Sequence, residues 1–417
     1  MITALKIWLA FVVIVMSIYT LRHFIFAFVR LYFLQRHAYQ DIAGCYLPSI
    51  CIIVPMHNEG AVVEKTLEVL VSLDYPRDRL EIILVDDRST DETGAIIDEF
   101  SAGHPFIRVF HRTSGEGGKP AALNDALHLT KAEVILTYDA DYWPSRDSAM
   151  RLIAPLLDPQ VALTMGRVVP RNPDSNLLTR MLDLERAGGY QVNQQARHTL
   201  GLLPQYGGTV GAIRRSFLIA LGGWDETYLA EDTYLSVQAF LHGLRVVYVN
   251  LEETTEEVPI SWSVRQKQLR RWVIGHNQVA YRLGVRLLRS PFLGVWQKID
   301  AFLMLFIYGA TMLLVTGYLD AVLLLLLGDG LLAGAAMAIF ILTTYSTMGN
   351  SAAFIEIAVS AIIDARPHAL WGVPLMTMHF IGSAFVVAAA TMDWITLELR
   401  GQRILTWHKT PRVGGSV

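Results

Sequence analysis

Apolar positions fall along this chain in three registers. From Ile7 to Val29 they run almost unbroken, IWLAFVVIVMSIYTLRHFIFAFV, long enough to cross a bilayer core of about 30 Å. From Pro48 the runs shorten. Ser49 to Pro55, Leu80 to Val85, Phe106 to Phe110 and Val134 to Tyr138 read as buried parallel strands, with helical stretches between them at Ala61 to Ser72, Asp91 to Phe100 and Pro120 to Leu129. Strand and helix alternating in this way predict a doubly wound α/β sheet. Towards the end the long runs return: Ala301 to Leu327, Leu331 to Met348 and Leu370 to Met392 are each long enough to span. Ser351 to Ile363 is shorter and contains Glu356; it reads as a fourth C-terminal span, a re-entrant piece or an interfacial helix, and topology favours at least a partial crossing.

Charge sharpens the divisions. Between Val258 and Ile299 there is no acidic residue, while Arg265, Lys267, Arg270, Arg271, Arg282, Arg286, Arg289 and Lys298 accumulate among Trp262, Trp272 and Trp296. A basic, Trp-bearing amphipathic helix on membrane lipids fits this stretch better than a nucleic-acid patch, because spanning segments follow directly. The chain therefore divides into an N-terminal transmembrane helix and linker (1–47), a soluble α/β domain (48–260), amphipathic interface helices (261–298), a transmembrane bundle (299–393) and a basic tail (394–417). Arg30 and Arg36 after the first span, with no small-residue cleavage site, suit a retained helix rather than a signal peptide. With Arg400, Arg403, Lys409 and Arg412 in the tail, they place the domain and the tail on the cytoplasmic side of the cell (inner) membrane, which needs an even number of spans after the domain.

Composition agrees. At 53% hydrophobic and 18% charged over 417 residues, the chain is too apolar for a wholly soluble protein and too charged locally for a pure membrane bundle. A net charge of -3 gives no global sign of nucleic acid as a partner. Cys45 and Cys51, flanking the first strand, read as reduced core thiols.

The chemistry gathers at strand ends. Asp139 and Asp141 stand where the Val134 to Tyr138 strand ends, at the edge where α/β sheets bind ligands. Two carboxylates one residue apart repel, and a shared oxygen-seeking cation, Mg²⁺ or Mn²⁺, satisfies them; a solvated turn is the plainer alternative. Asp86 and Asp87 end the second strand, where acids can hydrogen-bond a ribose or base, and Asp91 reads equally as an N-cap. Gly115 to Pro120 opens a helix with Lys119 placed for a phosphate, without the spacing of a P-loop. Gln268, Arg271 and Trp272 fall at i, i+3 and i+4 on one helical face, offering an amide, a guanidinium and a flat indole. The histidines are scattered, and no nucleophile for a covalent intermediate stands out.

Taken in order, DDRSTD, DAD, LAED and QLRRW followed by membrane spans resemble the processive inverting family-2 membrane glycosyltransferases, the cellulose, chitin, hyaluronan, poly-N-acetylglucosamine and mannan synthase-like group. The resemblance covers Ser49 to Gly275. It implies a GT-A type nucleotide-sugar-binding domain joined to a helical bundle, and extension of a β-linked polysaccharide from a UDP-linked donor. It implies too that Asp86, Asp87 and Lys119 bind the uridine diphosphate, that Asp139 and Asp141 hold metal and donor, and that Asp232 is the general base with Glu231 beside it. Gln268, Arg271 and Trp272 would close over the diphosphate and the acceptor, a glycan or glycolipid. Ala230 stands where the family usually has Thr, which removes a hydroxyl and leaves both carboxylates. Addition of one or a few sugars to a lipid uses the same motifs, an accessory subunit is compatible with them, and a transporter or receptor with a nucleotide-sensing domain is the rival of another class.

Overall fold

The computed structural model describes residues 2–38, 42, 44–115, 117–344 and 354–401. Its α/β domain is built on one eight-stranded sheet: β1 (Ile50–Met56), β2 (Leu80–Asp87), β3 (Ile107–Arg112), β4 (Val134–Thr137), β5 (Trp143–Pro144), β6 (Val161–Pro170), β7 (Gly211–Arg214) and β8 (Arg245–Glu256), in the order β3-β2-β1-β4-β7-β6-β8-β5. The four predicted strands form its parallel half, β1 pairing with β2 and β4, and β2 with β3. Beyond β4 the sheet turns mixed: β7 is antiparallel to both β4 and β6, β6 is parallel to β8, and β5 is antiparallel to β8. The sequence pattern does not predict β5 to β8. Two- and four-residue strands are too short for periodicity to register, and β8 ends in the polar run EETTE.

Alternation along the strands explains why both faces are covered. Cys51, Ile53, Ile83, Val85 and Ile135 face one core with Ala122, Leu123 and Ala126 of the Lys119–Leu129 helix, while Ile50, Ile52, Val54, Ile82 and Leu84 face the other with Val63, Leu67 and Ile97. Each such aliphatic side chain, fully buried, contributes about 1.5–3 kcal/mol. With both faces covered, the carboxyl ends of β1, β2 and β4 are left as the open edge. Of the two thiols expected in the core, Cys51 is buried and Cys45 is exposed.

Among the described residues, three helices are long and apolar enough to cross a membrane: Ile2–Tyr32, Ile307–Leu326 and Pro367–Leu399. The first packs Leu9, Val12 and Met16 against Leu314 and Phe380 of the others, and leaves Ile7, Phe11, Ile14 and Leu21 exposed on its outer face. The helix Gly330–Thr344 begins where the Leu331 to Met348 run predicts, and the end of that run lies outside the described residues, as do residues 351–353 and the tail residues Arg403, Lys409 and Arg412. Phe354–Ile363 is a helix of 10 residues, about 15 Å long and half a bilayer core. It does not cross by itself. It docks on the domain instead: Glu356 accepts from Asn193 at 3.2 Å and meets His23 at 2.9 Å, and Asp364 accepts from Gln191 at 2.6 Å and Arg167 at 2.5 Å.

The basic stretch forms one helix, Trp262–Leu288, followed by Val295–Leu305. Lys267, Arg270, Arg282 and Arg286 lie outside, as an interfacial helix requires, but every residue from Val273 to Val279 is buried. The helix is a wedge between the α/β domain and the Met376–Leu399 helix rather than a strip resting on a surface. Gly275 makes the fit possible, since a Cβ there would stand 2.5 Å from the Ala230 backbone nitrogen.

Candidate active site

A single cavity opens at the carboxyl edge of the sheet, and its walls gather most of the residues singled out in the sequence: Asp87, Lys119, Asp139, Asp141, Glu231, Asp232, Gln268, Arg271 and Trp272. Asp86 is outside it. Its carboxylate points back into the domain, accepting from the Ser89 N–H at 3.1 Å and standing 2.9 Å from His111 Nδ1. Asp87 reaches the cavity while accepting from Arg112 at 2.7 Å and from the Gly118 N–H at 3.2 Å. Asp91 caps no helix of its own. It accepts from the Thr93 N–H at 3.1 Å and the Gly60 N–H at 3.1 Å, tying together the starts of two helices.

The loop after β4 is pinned at three consecutive residues. The Asp139 N–H donates to Thr209 Oγ1 at 3.1 Å, the Ala140 carbonyl accepts from Thr66 at 2.5 Å, and the Asp141 carbonyl accepts from Arg171 at 2.5 Å. Lys119 Nζ bridges Asp139 Oδ1 at 2.5 Å and the Gly208 carbonyl at 2.8 Å. Burial by itself would lower the pKa of this ammonium, but Asp139, Glu231 and Asp232 outweigh it and hold it above the ordinary lysine range. The turn supplying Gly208 has φ of +80° there and +50° at Val210, and leads into β7 at Gly211.

Glu231 and Asp232 open the helix Glu231–Leu241, whose cap is Ala230. Both are buried against the cavity. Burial and the neighbouring Asp232 push Glu231 up to about 7, with Lys119 and Arg271 pulling the other way. Asp232 is also raised by burial, but its anion is held by the Thr233 N–H at 2.6 Å. The pair thus holds one proton above the usual carboxylate range, and the hydrogen bond leaves Asp232 as the member that ionises first.

The Gln268, Arg271, Trp272 face is set by a buried ionic frame with no signature in the sequence. Arg265 donates to Gln268 Oε1 at 2.9 Å and to Glu185 at 2.7 Å, and Glu185 also meets His379 at 3.0 Å. Burial alone would raise Glu185, yet Arg265 and His379 hold it at about 2. Arg186 donates to Glu256 at 2.7 Å, and Tyr142, just past the Asp139-Ala140-Asp141 loop, donates to the same carboxylate at 2.6 Å. The guanidiniums of Arg265 and Arg186 lie 5.0 and 5.2 Å from the Trp272 ring centre, close enough for cation–π contact. The wall opposite is a π-helical turn, Gly188–Gln194, which brings Tyr190, Asn193 and Gln194 to the cavity; π-turns inside helices recur at functional sites. Further in, the cavity is walled by Arg22 of the first membrane helix, Arg197, and Leu303, Met304, Ile307 and Tyr308.

This combination, an α/β domain with an acidic pocket at the carboxyl edge of its sheet and long apolar helices closing the far wall, defines a class before any particular relative does. Residues 51–222 match Glycosyl transferase family 2. Probable glycosyltransferase YdaM of Bacillus subtilis (strain 168) is 36% identical over 239 residues, 57% of each chain. Beta-monoglucosyldiacylglycerol synthase of Synechocystis sp. (strain ATCC 27184 / PCC 6803 / Kazusa) is 32% identical over 57% of this chain and 50% of its own. Probable glucomannan 4-beta-mannosyltransferase 1 of Arabidopsis thaliana is 27% identical over 60% of this chain and 47% of its own. The chain spans about half the length of these curated relatives. Among solved structures, mannosyltransferase PcManGT from Pyrobaculum calidifontis in complex with GDP-Man and Mn²⁺ shares the fold, with a TM-score of 0.60 at 21% identity, over 88% of this chain and 99% of that one.

Proposed function

We propose that this chain is a membrane-embedded inverting glycosyltransferase that uses a UDP-linked sugar and a divalent cation to extend and export a β-linked polysaccharide, with its domain on the cytoplasmic side. The observation that carries this reading is the continuity of the cavity. The acids at the sheet edge, the Gln268, Arg271, Trp272 face and the membrane helices wall a single chamber, so donor chemistry and an acceptor arriving from the membrane share one space.

Asp139 and Asp141 suit a Mg²⁺ or Mn²⁺ ion: both are hard oxygen donors at the pocket wall, on a loop whose backbone is fixed at three points. Among the described residues no three His, Cys, Asp or Glu side chains group closely enough to hold a metal ion, which suits a cation completed by phosphate oxygens. Bound there, it would offset negative charge growing on the departing diphosphate. The chain's own groups do the rest. Arg271 and Lys119 supply fixed positive charge at the same wall, Asp87 lies at the nucleotide end, and Asp232, as the ionised member of its pair, takes the proton from the acceptor hydroxyl. A single displacement inverts the anomeric carbon.

The second reading is transfer of one or a few sugars to a lipid, favoured by the apolar inner wall of Leu303, Met304 and Ile307 and by the name of the Synechocystis relative. Incubating the purified protein with a panel of UDP- and GDP-sugars and sizing the product separates the two. A ladder of long chains supports the polymer reading, and a single glycolipid band supports the second. Absence of nucleotide release from every donor would sink both.

A further inference from the structure

The membrane end of the cavity is basic where the donor end is acidic. Arg22, on the Ile2–Tyr32 helix, and Arg197 both line it and both turn to one carboxylate, Asp300. Arg22 donates Nε and Nη2 to Asp300 Oδ1 at 3.1 and 2.6 Å. Arg197 Nη1 stands 3.7 Å from Asp300 Oδ2, and its other bonds go to Asn193 Oδ1 and the Leu203 carbonyl at 3.0 Å each. Nη1 of Arg22 and Nη2 of Arg197 take no part in these bonds. His23, the third basic group of this wall, faces Glu356. Asp300 and Glu356 are buried behind the wall and do not line the cavity, so the lumen meets N–H donors. Burial pulls the Arg197 guanidinium down to about 10, with Asp300 acting against it and repulsion from Arg22 adding to it.

Depth gives the ligand its class. Lys6 and Arg22 lie sixteen residues apart on one helix, about 24 Å, against a bilayer core of about 30 Å. Lys6 pairs with Asp329 at one end of that stretch, which puts the Arg22 backbone within about 6 Å of the other face of such a core, a gap that a long guanidinium side chain or a lipid headgroup bridges. The guanidinium fork matches phosphate geometry better than any other side chain. We infer that Arg22 and Arg197 form an anion subsite that takes the phosphate of a membrane-lipid headgroup, with the apolar part of the lipid against Leu303, Met304 and Ile307. As a binding site it stands by itself; that the bound lipid carries the acceptor rests on the transfer reading above.

The test uses the full chain in mild detergent, read by native mass spectrometry with phosphatidic acid, with diacylglycerol of the same acyl chains, and with inorganic phosphate. Phosphatidic acid should be retained about tenfold over diacylglycerol, the advantage of a charge-assisted bidentate contact. Arg197→Gln should erase that excess, and Arg197→Lys, which keeps the charge without the fork, should reduce it. Arg270→Gln, at a half-exposed pair with Asp393, should leave it intact. Nucleotide binding at the donor end reports that each variant is folded. Equal retention of the two lipids, or an excess that survives in folded Arg197→Gln, overturns the subsite. Displacement of the lipid by an equal concentration of inorganic phosphate would keep the anion chemistry and overturn the lipid as its source. No sugar transfer is read, so a protein that retains phosphatidic acid yet turns over no donor sinks the transfer reading alone.

Discussion

At the scale of single residues, Glu231 and Asp232 make the sharpest demands. Because Asp232 is the member that ionises first, turnover should rise with pH as Asp232 loses its proton, at an inflection below the value of about 7 that Glu231 holds. Glu231→Gln, neutral as Glu231 is over that range, should leave the inflection in place with a modest loss of rate. Asp232→Asn keeps size but cannot accept a proton, and should cost about two to four orders of magnitude while nucleotide still binds. Near-normal transfer by a folded Asp232→Asn protein would end its role as base. The raised Glu231 value also links to stability: the folded state holds this proton more tightly than the unfolded chain. Its contribution is therefore full below about pH 4 and lost as pH rises through about 7. Asp139→Asn strips Lys119 of its closest charge partner and the cation of a donor, so metal-dependent nucleotide binding, followed by calorimetry, should weaken along with turnover. These acids were legible because adjacent residues announce themselves. Arg186 with Glu256 and Arg265 with Glu185 were not, since partners 70 and 80 positions apart leave no local pattern. Asp86 was legible as an acid at a strand end, and the sequence could not say that Ser89 and His111 turn it away from the cavity.

At the scale of elements, the Trp262–Leu288 helix carries the most consequence per residue. Its basic, Trp-bearing outer face could be read from composition, but the burial of its middle depends on Gly275 meeting the residues just before Glu231. Gly275→Ala places a methyl group 2.5 Å from the Ala230 nitrogen and 2.7 Å from the Leu229 carbonyl carbon, both backbone atoms that cannot swing aside. We expect the helix to be pushed off Glu231 and Asp232, with about 1–3 kcal/mol of overpacking and a loss of activity larger than the fall in thermal stability explains. An alanine variant with unchanged melting temperature and full turnover would show that the two elements slide freely. The parallel strands were legible for the opposite reason. Each is a continuous apolar run buried on both faces, whereas β7 is defined only by its neighbours, β4 and β6.

At the scale of the whole molecule, the order of apolar helix, α/β domain and apolar helices could be read from hydropathy, and the docking of Phe354–Ile363 could not, because its anchors lie on Asn193, Gln191 and Arg167 in the domain. Sidedness has a native reporter. Cys45 is exposed beside the domain and Cys51 is buried in β1, where burial raises its thiol well above the ordinary range. A membrane-impermeant maleimide should leave Cys45 untouched in intact cells and label it in inverted membrane vesicles, while Cys51 reacts only on denaturation. Labelling of Cys45 from outside the cell would reverse the proposed orientation.

The strand order carries a consequence for how the molecule comes into being. β8 completes the sheet between β6 and β5, so no chain shorter than Glu256 can close it, and by then the Ile2–Tyr32 helix has long left the ribosome. Leu303, Ile307 and Tyr308, which wall the inner end of the cavity, are made after the sheet is whole. During synthesis the acidic pocket therefore exists first as an open cleft, and the membrane helices that arrive last turn it into a chamber.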